Sequence, residues 1–288
     1  MVASSELMAL VERMLARDAS AADAVIEEAA LDALGLPAPA AGANPNDPSV
    51  GLWFVLRMAS RTLRAAHVPP DPTRLSRLSS ALVARPGRDE EHGQLAIDPP
   101  STLRRAAVVR ELAEGGPILA VGDDDALSVA LALDGVRDVS ALDIDPRLIA
   151  FLRSHGVSAE LADVFHGSVP AALRGRFAAV ITDPFRDLDG GVGFLSFAAA
   201  CVRRAPAGRL LWVDHPDWNF EHHTVRATLT ALGFDVTRTY EDLHGYPLPL
   251  SISEPQALAE AHGLDAGALE RLSRRTLAWS HLLVLERR

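Results

Sequence analysis

One short stretch, from Pro117 to Ser128, constrains the fold of this chain more than any other. It begins with an apolar segment of strand length, Ile118-Leu119-Ala120-Val121, which ends at Gly122. An acidic tripeptide follows, and an apolar helical pattern starts directly after it. Many α/β domains bind adenosine-containing ligands where a buried strand delivers a glycine turn onto the start of a helix. We therefore predict an α/β domain with a ligand site at Gly122.

The acidic tripeptide, Asp123-Asp124-Asp125, limits the charge of that ligand. A helix N-terminus favours anions, but three carboxylates at the same turn repel them. A cationic ligand removes the conflict. We therefore expect a sulfonium nucleoside as co-substrate, either S-adenosylmethionine or its decarboxylated form. One of the three aspartates is expected to orient the donor, and another to anchor the acceptor or take its proton.

Segments with strand character alternate with helical segments along the rest of the chain. We predict strands at residues 118–121, 139–146, 158–161, 177–182, 209–213, 234–239 and 276–286, the last one antiparallel. The first and fourth are apolar nearly throughout, as expected of central parallel strands buried on both faces. One of the predicted helices spans residues 194–203. The pattern predicts a seven-stranded, doubly wound α/β sheet that is Rossmann-like and of the class I methyltransferase type.

Carboxylates follow the second and third predicted strands, at the edge where such sheets bind ligands. Asp143, about twenty positions past the glycine turn, is placed to hold a ribose diol. Asp145 precedes Pro146, so we predict that it caps a helix. Asp163 is predicted to accept a hydrogen bond from an adenine amino group, with Val164 or Phe165 lining the base. The predicted cofactor-binding residues are therefore Gly122, Asp123, Asp143, Ile144, Asp163 and Val164.

Two more loops are predicted at the same edge, facing the opening turn. The loop after the fourth strand begins with Asp183, which we expect to act in catalysis together with Asp123, Asp124 and Asp125. The fifth strand also ends in an acidic loop. The substrate-binding residues predicted from the two loops are Pro184, Phe185, Arg186, Asp187, Asp214 and His215. We expect no metal site, because the adjacent His222 and His223 point apart on a helix and no other cluster has ligand spacing.

The first 92 residues read as helices joined by loops rich in proline and glycine. We predict a helical N-terminal region at 1–92, acting as a lid or a homodimer surface. Residues 93–288 are predicted to form the Rossmann-like catalytic domain, with an insertion near 241–272.

Composition excludes several classes of function. The net charge of −10 argues against nucleic-acid and anionic-membrane binding and is compatible with a small-molecule amine or amino-acid-like acceptor. The chain has no lysine, which rules out Schiff-base and P-loop chemistry, and one cysteine, which rules out an internal disulfide. No apolar run approaches membrane-span length and no signal peptide is visible, so we expect a cytoplasmic protein.

The region from Gln94 to about Gly191 resembles the C-terminal catalytic domain of the branched-chain polyamine synthases. The similarity rests on Gly122-Asp123-Asp124-Asp125 with the apolar run after it, on Asp143-Ile144-Asp145, and on the lead-in Asp98-Pro99-Pro100-Ser101-Thr102-Leu103-Arg104-Arg105-Ala106. These enzymes are aminopropyltransferases that make N4-bis(aminopropyl)spermidine. The resemblance implies a transferase that moves an aminopropyl group from decarboxylated S-adenosylmethionine to an amine.

The chain departs from that family pattern in two respects: the family's N-terminal winged helix is not evident, and the loop after the fourth strand differs. The family has Asp-Pro-Pro and an acidic residue after the fourth strand, whereas this chain has Asp183-Pro184-Phe185-Arg186. Arg186 would repel a polyamine and suit a group that carries a carboxylate. Asp187 and Asp189 are close enough in sequence to offset the positive charge of Arg186 and restore a negative electrostatic field at the mouth of the site. The alternative reading is therefore a methyltransferase or aminocarboxypropyl transferase that uses intact S-adenosylmethionine on a carboxylate-bearing small molecule. A binding or scaffolding protein with a decayed site is a third reading, against which the intact acidic turn and Asp143 speak.

Overall fold

The computed structural model describes residues 4–16, 36, 47–65, 70–89, 91–166, 168–185, 187–204, 206–214, 222–247 and 255–288. These residues form ten helices and seven strands. In the described ranges, no helix combines the length and apolar character that crossing a membrane requires. The predicted second N-terminal helix, Arg186 and His215 lie outside the described residues.

Among the described elements, four helices precede the first strand, and strands and helices mostly alternate after it. The helices are α1 (Ser4–Ala16), α2 (Pro48–Ala65), α3 (Pro72–Leu82), α4 (Pro99–Ala113), α5 (Leu127–Leu133), α6 (Pro146–Ser154), α7 (Leu188–Cys201), α8 (His222–Ala231), α9 (Pro255–His262) and α10 (Ala266–Arg275). The strands are β1 (Ile118–Val121), β2 (Val139–Asp143), β3 (Ser158–Leu161), β4 (Ala179–Thr182), β5 (Arg209–Asp214), β6 (Phe234–Pro247) and β7 (Leu277–Arg287).

The seven strands form one sheet in the order β3-β2-β1-β4-β5-β7-β6. The first five strands in this order run parallel to one another, and β7 pairs antiparallel with β5. The register places Val121 opposite both Leu142 and Thr182, so β1, β2 and β4 end at the same level. The predicted class I methyltransferase-type sheet is confirmed. Its carboxyl edge brings the loops after β1, β2 and β4 together.

Apolar side chains cover both faces of the central strands. One face, with Ala120, Ala141 and Ile181, packs with buried residues of α3, α4, α5 and α6. The other face, with Leu119 and Val180, packs with buried residues of α7 and α8. This two-sided burial explains why β1 and β4 are apolar without alternation.

The chain divides into two compact units. A helical unit comprises Met1–Pro69 and Gly245–Trp279, and a sheet unit comprises Pro70–His244 and Ser280–Arg288. This division differs from the predicted boundary after residue 92. Helix α3 belongs to the sheet unit because Leu78 is fully buried in its core. Helices α9 and α10 belong to the helical unit, in which Leu258 lies against Gly51 and the Arg275 guanidinium donates to the Leu15 carbonyl at 3.3 Å.

Three elements differ from the sequence expectation. Helix α7 starts six residues earlier than predicted, since the Asp187 carboxylate caps it by accepting the Gly190 N–H at 2.6 Å. Strand β6 continues to Pro247, past the predicted end at residue 239. Helix α10 was not predicted; the Asp265 carboxylate caps it by accepting the Ala268 N–H at 2.6 Å.

Candidate active site

The turn after β1 is built around a glycine with a positive φ. Gly122 has φ +72°, and its N–H donates to the Leu142 carbonyl at 2.8 Å. A Cβ at this position would lie 3.2 Å from the ring of Phe194. Glycine therefore satisfies both the backbone conformation and the close approach of the aromatic ring. Ala126, at the end of the same turn, also has a positive φ (+53°), which costs an alanine about 1–2 kcal/mol.

The three aspartates of the turn have different partners. The buried Asp123 carboxylate accepts the Ser128 N–H at 3.2 Å and also accepts the Ser128 hydroxyl, so it holds the first turn of α5. The buried Asp125 carboxylate accepts the Ile97 N–H at 2.7 Å. Asp124 is only half-buried, and its carboxylate accepts the Leu95 N–H at 2.9 Å. Of the three, Asp124 is the residue that is not fully buried.

A buried arginine connects this turn to the end of β4. Arg105, on α4, is 3% exposed. One guanidinium nitrogen lies 2.5 Å from Oδ2 of Asp125, and the other terminal nitrogen donates to Oδ2 of Asp183 at 3.2 Å. The Thr182 hydroxyl donates to the Val121 carbonyl at 2.9 Å and fixes the two strand ends side by side. The structure thus brings together the four residues predicted to be catalytic.

Burial and mutual repulsion change the acidity of this cluster. Desolvation, with smaller contributions from Asp125 and Asp143, raises the pKa of Asp123 to about 7. Desolvation and the charges of Asp125 and Asp183 raise the pKa of Asp124 well above its ordinary value. Desolvation also raises the pKa of Asp125, although the Arg105 guanidinium opposes that shift. Burial therefore favours the protonated form of all three carboxyl groups more than it does for an ordinary aspartate.

The predicted nucleoside side contains two carboxylates with distinct surroundings. The Asp143 carboxylate accepts the Asp123 N–H at 3.0 Å and the Asp145 N–H at 2.9 Å, and burial raises its pKa. The Asp145 carboxylate caps α6 by accepting the Arg147 N–H at 2.8 Å. Hydrogen bonding to the Arg147 side chain lowers the pKa of Asp145 to about 2. The predicted capping role of Asp145 is confirmed, and the exposed Ile144 lies between the two carboxylates in sequence.

Asp163 lies in the turn after β3. Its carboxylate accepts the Phe165 N–H at 2.8 Å and lies 2.7 Å from Nδ1 of His166. Hydrogen bonding to His166 lowers the pKa of Asp163. Val164 follows it and is half-buried. The contacts show a carboxylate that organises its own turn, and its assignment to adenine stays a prediction.

Three phenylalanines from separate segments form an aromatic cluster beside the turn. The ring centroids of Phe165 and Phe194 are 5.5 Å apart, those of Phe185 and Phe194 are 5.7 Å apart, and those of Phe165 and Phe185 are 6.3 Å apart. Phe194 lies against Gly122, and a Cβ on Gly190 would lie 2.4 Å from Cβ of Phe185. These rings give an apolar surface next to the carboxylates.

The residues predicted for the acceptor side have varied positions. Pro184 is buried and Phe185 is half-buried in the aromatic cluster. Asp187 is exposed, but its carboxylate is engaged as the cap of α7. Asp214 is buried at the end of β5, and its Oδ2 lies 2.6 Å from Nδ1 of His222. In the parts of the chain that the structure describes, no group of three carboxylate, imidazole or thiol side chains could hold a metal ion.

Comparison with known proteins identifies the family to which this chain belongs. Residues 74–256, more than half of the chain, match the family described as the branched-chain polyamine synthase A C-terminal domain. The chain belongs to this family. Among curated proteins, the N(4)-bis(aminopropyl)spermidine synthase of Thermus thermophilus is 32% identical over 121 residues, which are 39% of this chain and 34% of that protein. An uncharacterised protein of Methanocaldococcus jannaschii is 27% identical over 172 residues, 56% of this chain and 43% of that protein.

The chain thus spans less than half the length of these two curated relatives. A crystal structure of the branched-chain polyamine synthase from Thermus thermophilus, in complex with N4-aminopropylspermidine and 5′-methylthioadenosine, superposes with a TM-score of 0.59. That match has 17% sequence identity and covers 99% of this chain and 93% of the other. At this identity the likeness shows a shared fold.

Two features of this domain were missed in the sequence. Arg105 lies at helical spacing from the buried Val109 and Leu112, so an arginine on the apolar side of α4 was the available signal. The backbone N–H groups of Leu95 and Ile97 bind the acidic turn, and no side-chain pattern could have revealed them.

Proposed function

We propose that this protein transfers an aminopropyl group from decarboxylated S-adenosylmethionine to an amine acceptor. The observation that carries the proposal is the half-buried Asp124, which lies in a cluster of carboxylates where β1 and β4 end. Such a cluster attracts two cationic molecules, a sulfonium donor and an ammonium acceptor, and repels anionic nucleotides. Membership of the polyamine synthase family supports this reaction over methyl transfer.

On the donor side, we assign the ribose to Asp143. Both of its oxygens accept backbone N–H groups, but each oxygen has a second lone pair that a ribose hydroxyl can use. The exposed Ile144 and the half-buried Val164 supply apolar surface for the base, and Asp163 supplies an acceptor for its amino group. Gly122 lets the backbone approach the ligand, and Asp123 fixes the turn against α5.

The chemical step is a displacement at the carbon next to sulfur. The lone pair of the acceptor nitrogen forms a C–N bond while the C–S bond breaks, and its electron pair stays on sulfur, so a neutral thioether leaves. The nitrogen loses one proton, which we assign to the Asp124 carboxylate. A raised pKa makes Asp124 a better proton acceptor than an ordinary aspartate. Alignment of donor and acceptor supplies much of the acceleration.

On the acceptor side, we assign the binding of a second ammonium group to Asp183. Its carboxylate is held by Arg105, which fixes its orientation. We assign Phe185 and Pro184 to the methylene chain, and the acceptor-side roles of Asp187, Asp214, Arg186 and His215 stay predictions from the sequence. A polyamine fits such alternating charge and apolar surface, and the Thermus thermophilus enzyme is bound to N4-aminopropylspermidine. Arg186 favours an amino-acid-like acceptor, so both classes belong in the test.

The test is a product assay by mass spectrometry. The purified protein is incubated with decarboxylated S-adenosylmethionine and, separately, with a polyamine and with a diamino acid of similar length. We expect equimolar methylthioadenosine and an aminopropylated polyamine. Aminopropylation of the amino acid alone would replace the polyamine with a carboxylate-bearing acceptor. Absence of methylthioadenosine with every amine would contradict the proposal.

The matched variant is Asp124→Asn, which keeps the size and the acceptor oxygen for the Leu95 N–H but cannot take a proton at that oxygen. We expect a loss of turnover of about 10²- to 10⁴-fold, the usual range for a positioned general base. Binding of methylthioadenosine, measured by calorimetry, should change little. Full activity of this variant would remove Asp124 as the base.

A further inference from the structure

We propose that Arg105 is a positioning residue that holds Asp125 and Asp183 as fixed carboxylates and so leaves Asp124 to exchange its proton with the acceptor amine. This inference rests on the proposed function. Its geometric basis is that a single buried guanidinium contacts both acidic residues, one on the turn after β1 and one after β4. Arg105 acts through its two carboxylate partners and not by direct contact with the donor or the acceptor.

The need for a buried cation follows from the charges around Asp124. The carboxyl groups that raise its pKa come from three loops, and Arg105 is the cation that lowers it. A second arginine, Arg85, donates to the Asp124 backbone carbonyl at 3.0 Å and not to the carboxylate. Charged groups at the cluster are Asp123, Asp124, Asp125, Asp143, Asp183, Arg85 and Arg105.

Without a cation, carboxylates this close and this poorly solvated would take up protons instead of staying ionised. Protonated Asp125 and Asp183 would give no negative field for a cationic substrate. The planar guanidinium contacts both at once, which an ammonium cannot do with the same geometry. One cation against several carboxylates still leaves the cluster negative, as a cationic substrate requires.

The neighbouring arginine shows that this arrangement is specific to one side of α4. Arg104 precedes Arg105, yet one of its terminal nitrogens donates to the Ser101 hydroxyl at 2.7 Å and its Nε donates to the Leu243 carbonyl at 3.3 Å. Neither contact involves the acidic turn. Arg104→Gln therefore removes a positive charge from the same helix and leaves the contacts of Arg105 with Asp125 and Asp183 in place.

The experiment compares the pH dependence of kcat/KM for the wild type, Arg105→Gln, Arg105→Lys and Arg104→Gln. Arg105 lowers the pKa values of Asp124 and Asp125, so its loss raises them and moves the acidic limb to higher pH. We expect an upward move of about 1–3 pH units for Arg105→Gln, the size that an adjacent arginine gives. Arg105→Lys should move the acidic limb of the profile less, because the positive charge remains. Arg104→Gln should leave the acidic limb at the wild-type pH.

Removal of one member of a buried ion pair can prevent folding, so Arg105→Lys and a second readout keep the inference testable. Titration of the aspartate carboxyl carbons by ¹³C NMR, which needs no activity, should show higher apparent pKa values in Arg105→Lys than in the wild type. Superimposable pH profiles and carboxyl titrations in wild type and Arg105 variants would overturn the inference. An inactive wild type with shifted titrations would instead contradict the proposed function, while the electrostatic effect of Arg105 on Asp124 and Asp125 would stand.

Discussion

Asp123 shows at the scale of one residue how the same side chain serves different purposes in one turn. It is buried, it holds the start of α5 through Ser128, and its pKa is raised to about 7 by desolvation. Asp124, one position later, is only half-buried. Both residues are aspartates, so the difference between a structural role and a ligand-binding role comes from their burial.

The raised pKa of Asp123 predicts a pH-dependent stability difference against Asp123→Asn. Between about pH 4 and pH 7 the folded Asp123 keeps a proton that the unfolded chain has released. Its contribution is therefore complete below pH 4 and is lost as the pH rises to about 7. Relative to the variant, wild-type unfolding free energy should fall by up to about 1.4 kcal/mol per pH unit in that window.

Urea unfolding of both proteins at several pH values measures this difference. The asparagine cannot titrate but keeps an acceptor oxygen for the Ser128 N–H, which makes it the matched control. A difference that is constant between pH 4 and pH 7, or that grows with pH, would show that Asp123 is not a buried acid of raised pKa.

At the scale of one element, the N-cap and first residue of helix α6 were predicted from Asp145-Pro146. Asp-Pro at its beginning combines a capping carboxylate with a proline at the first helical position, where no N–H is needed. Asp145→Ala should cost about 1 kcal/mol of unfolding free energy at neutral pH, and Asp145→Asn should cost much less. Because the pKa of Asp145 is lowered to about 2, the alanine penalty should shrink as the pH falls from 4 toward 2.

Chemical denaturation of the three proteins gives the comparison. Equal losses in the alanine and asparagine variants would assign the stability to the Arg147 ion pair and not to the cap.

Other elements show where local patterns fail. Helix α7 begins within a segment that reads as a loop, Asp187-Leu188-Asp189-Gly190-Gly191, because two glycines normally interrupt helices. Here both glycines are buried, and a Cβ on Gly190 would meet Phe185. Tertiary packing therefore overrides propensity. The extension of β6 has the same kind of cause, since the added residues include the buried His244 and Tyr246.

For the whole molecule, the pattern of strands was enough to predict the sheet and its last antiparallel strand. It was also enough to bring Gly122, Asp143 and Asp183 to one edge, because the ends of parallel strands meet there. The grouping of residues 245–279 with the N-terminal helices could not be predicted, because it depends on contacts between segments about 200 residues apart. The two backbone donors and Arg105 likewise become visible only in three dimensions.

Cys201 offers a probe of global opening. It is the one cysteine of the chain, it is buried in the core between the sheet and α7, and burial raises its pKa to about 12. The thiol should therefore be inert to a thiol reagent such as 5,5′-dithiobis(2-nitrobenzoate) in the native protein and react fully after unfolding. Absorbance of the released thiolate measures the rate. Rapid reaction under native conditions would show that this part of the core opens independently.

We propose that the acidic turn selects a cationic donor that lacks the methionine carboxylate. Isothermal titration calorimetry of decarboxylated and intact S-adenosylmethionine with the wild-type protein tests it most directly. Repulsion between the extra carboxylate and the aspartates predicts that the decarboxylated donor binds at least about tenfold more tightly, a difference of about 1.4 kcal/mol. Tighter binding of intact S-adenosylmethionine by a similar factor would contradict the account.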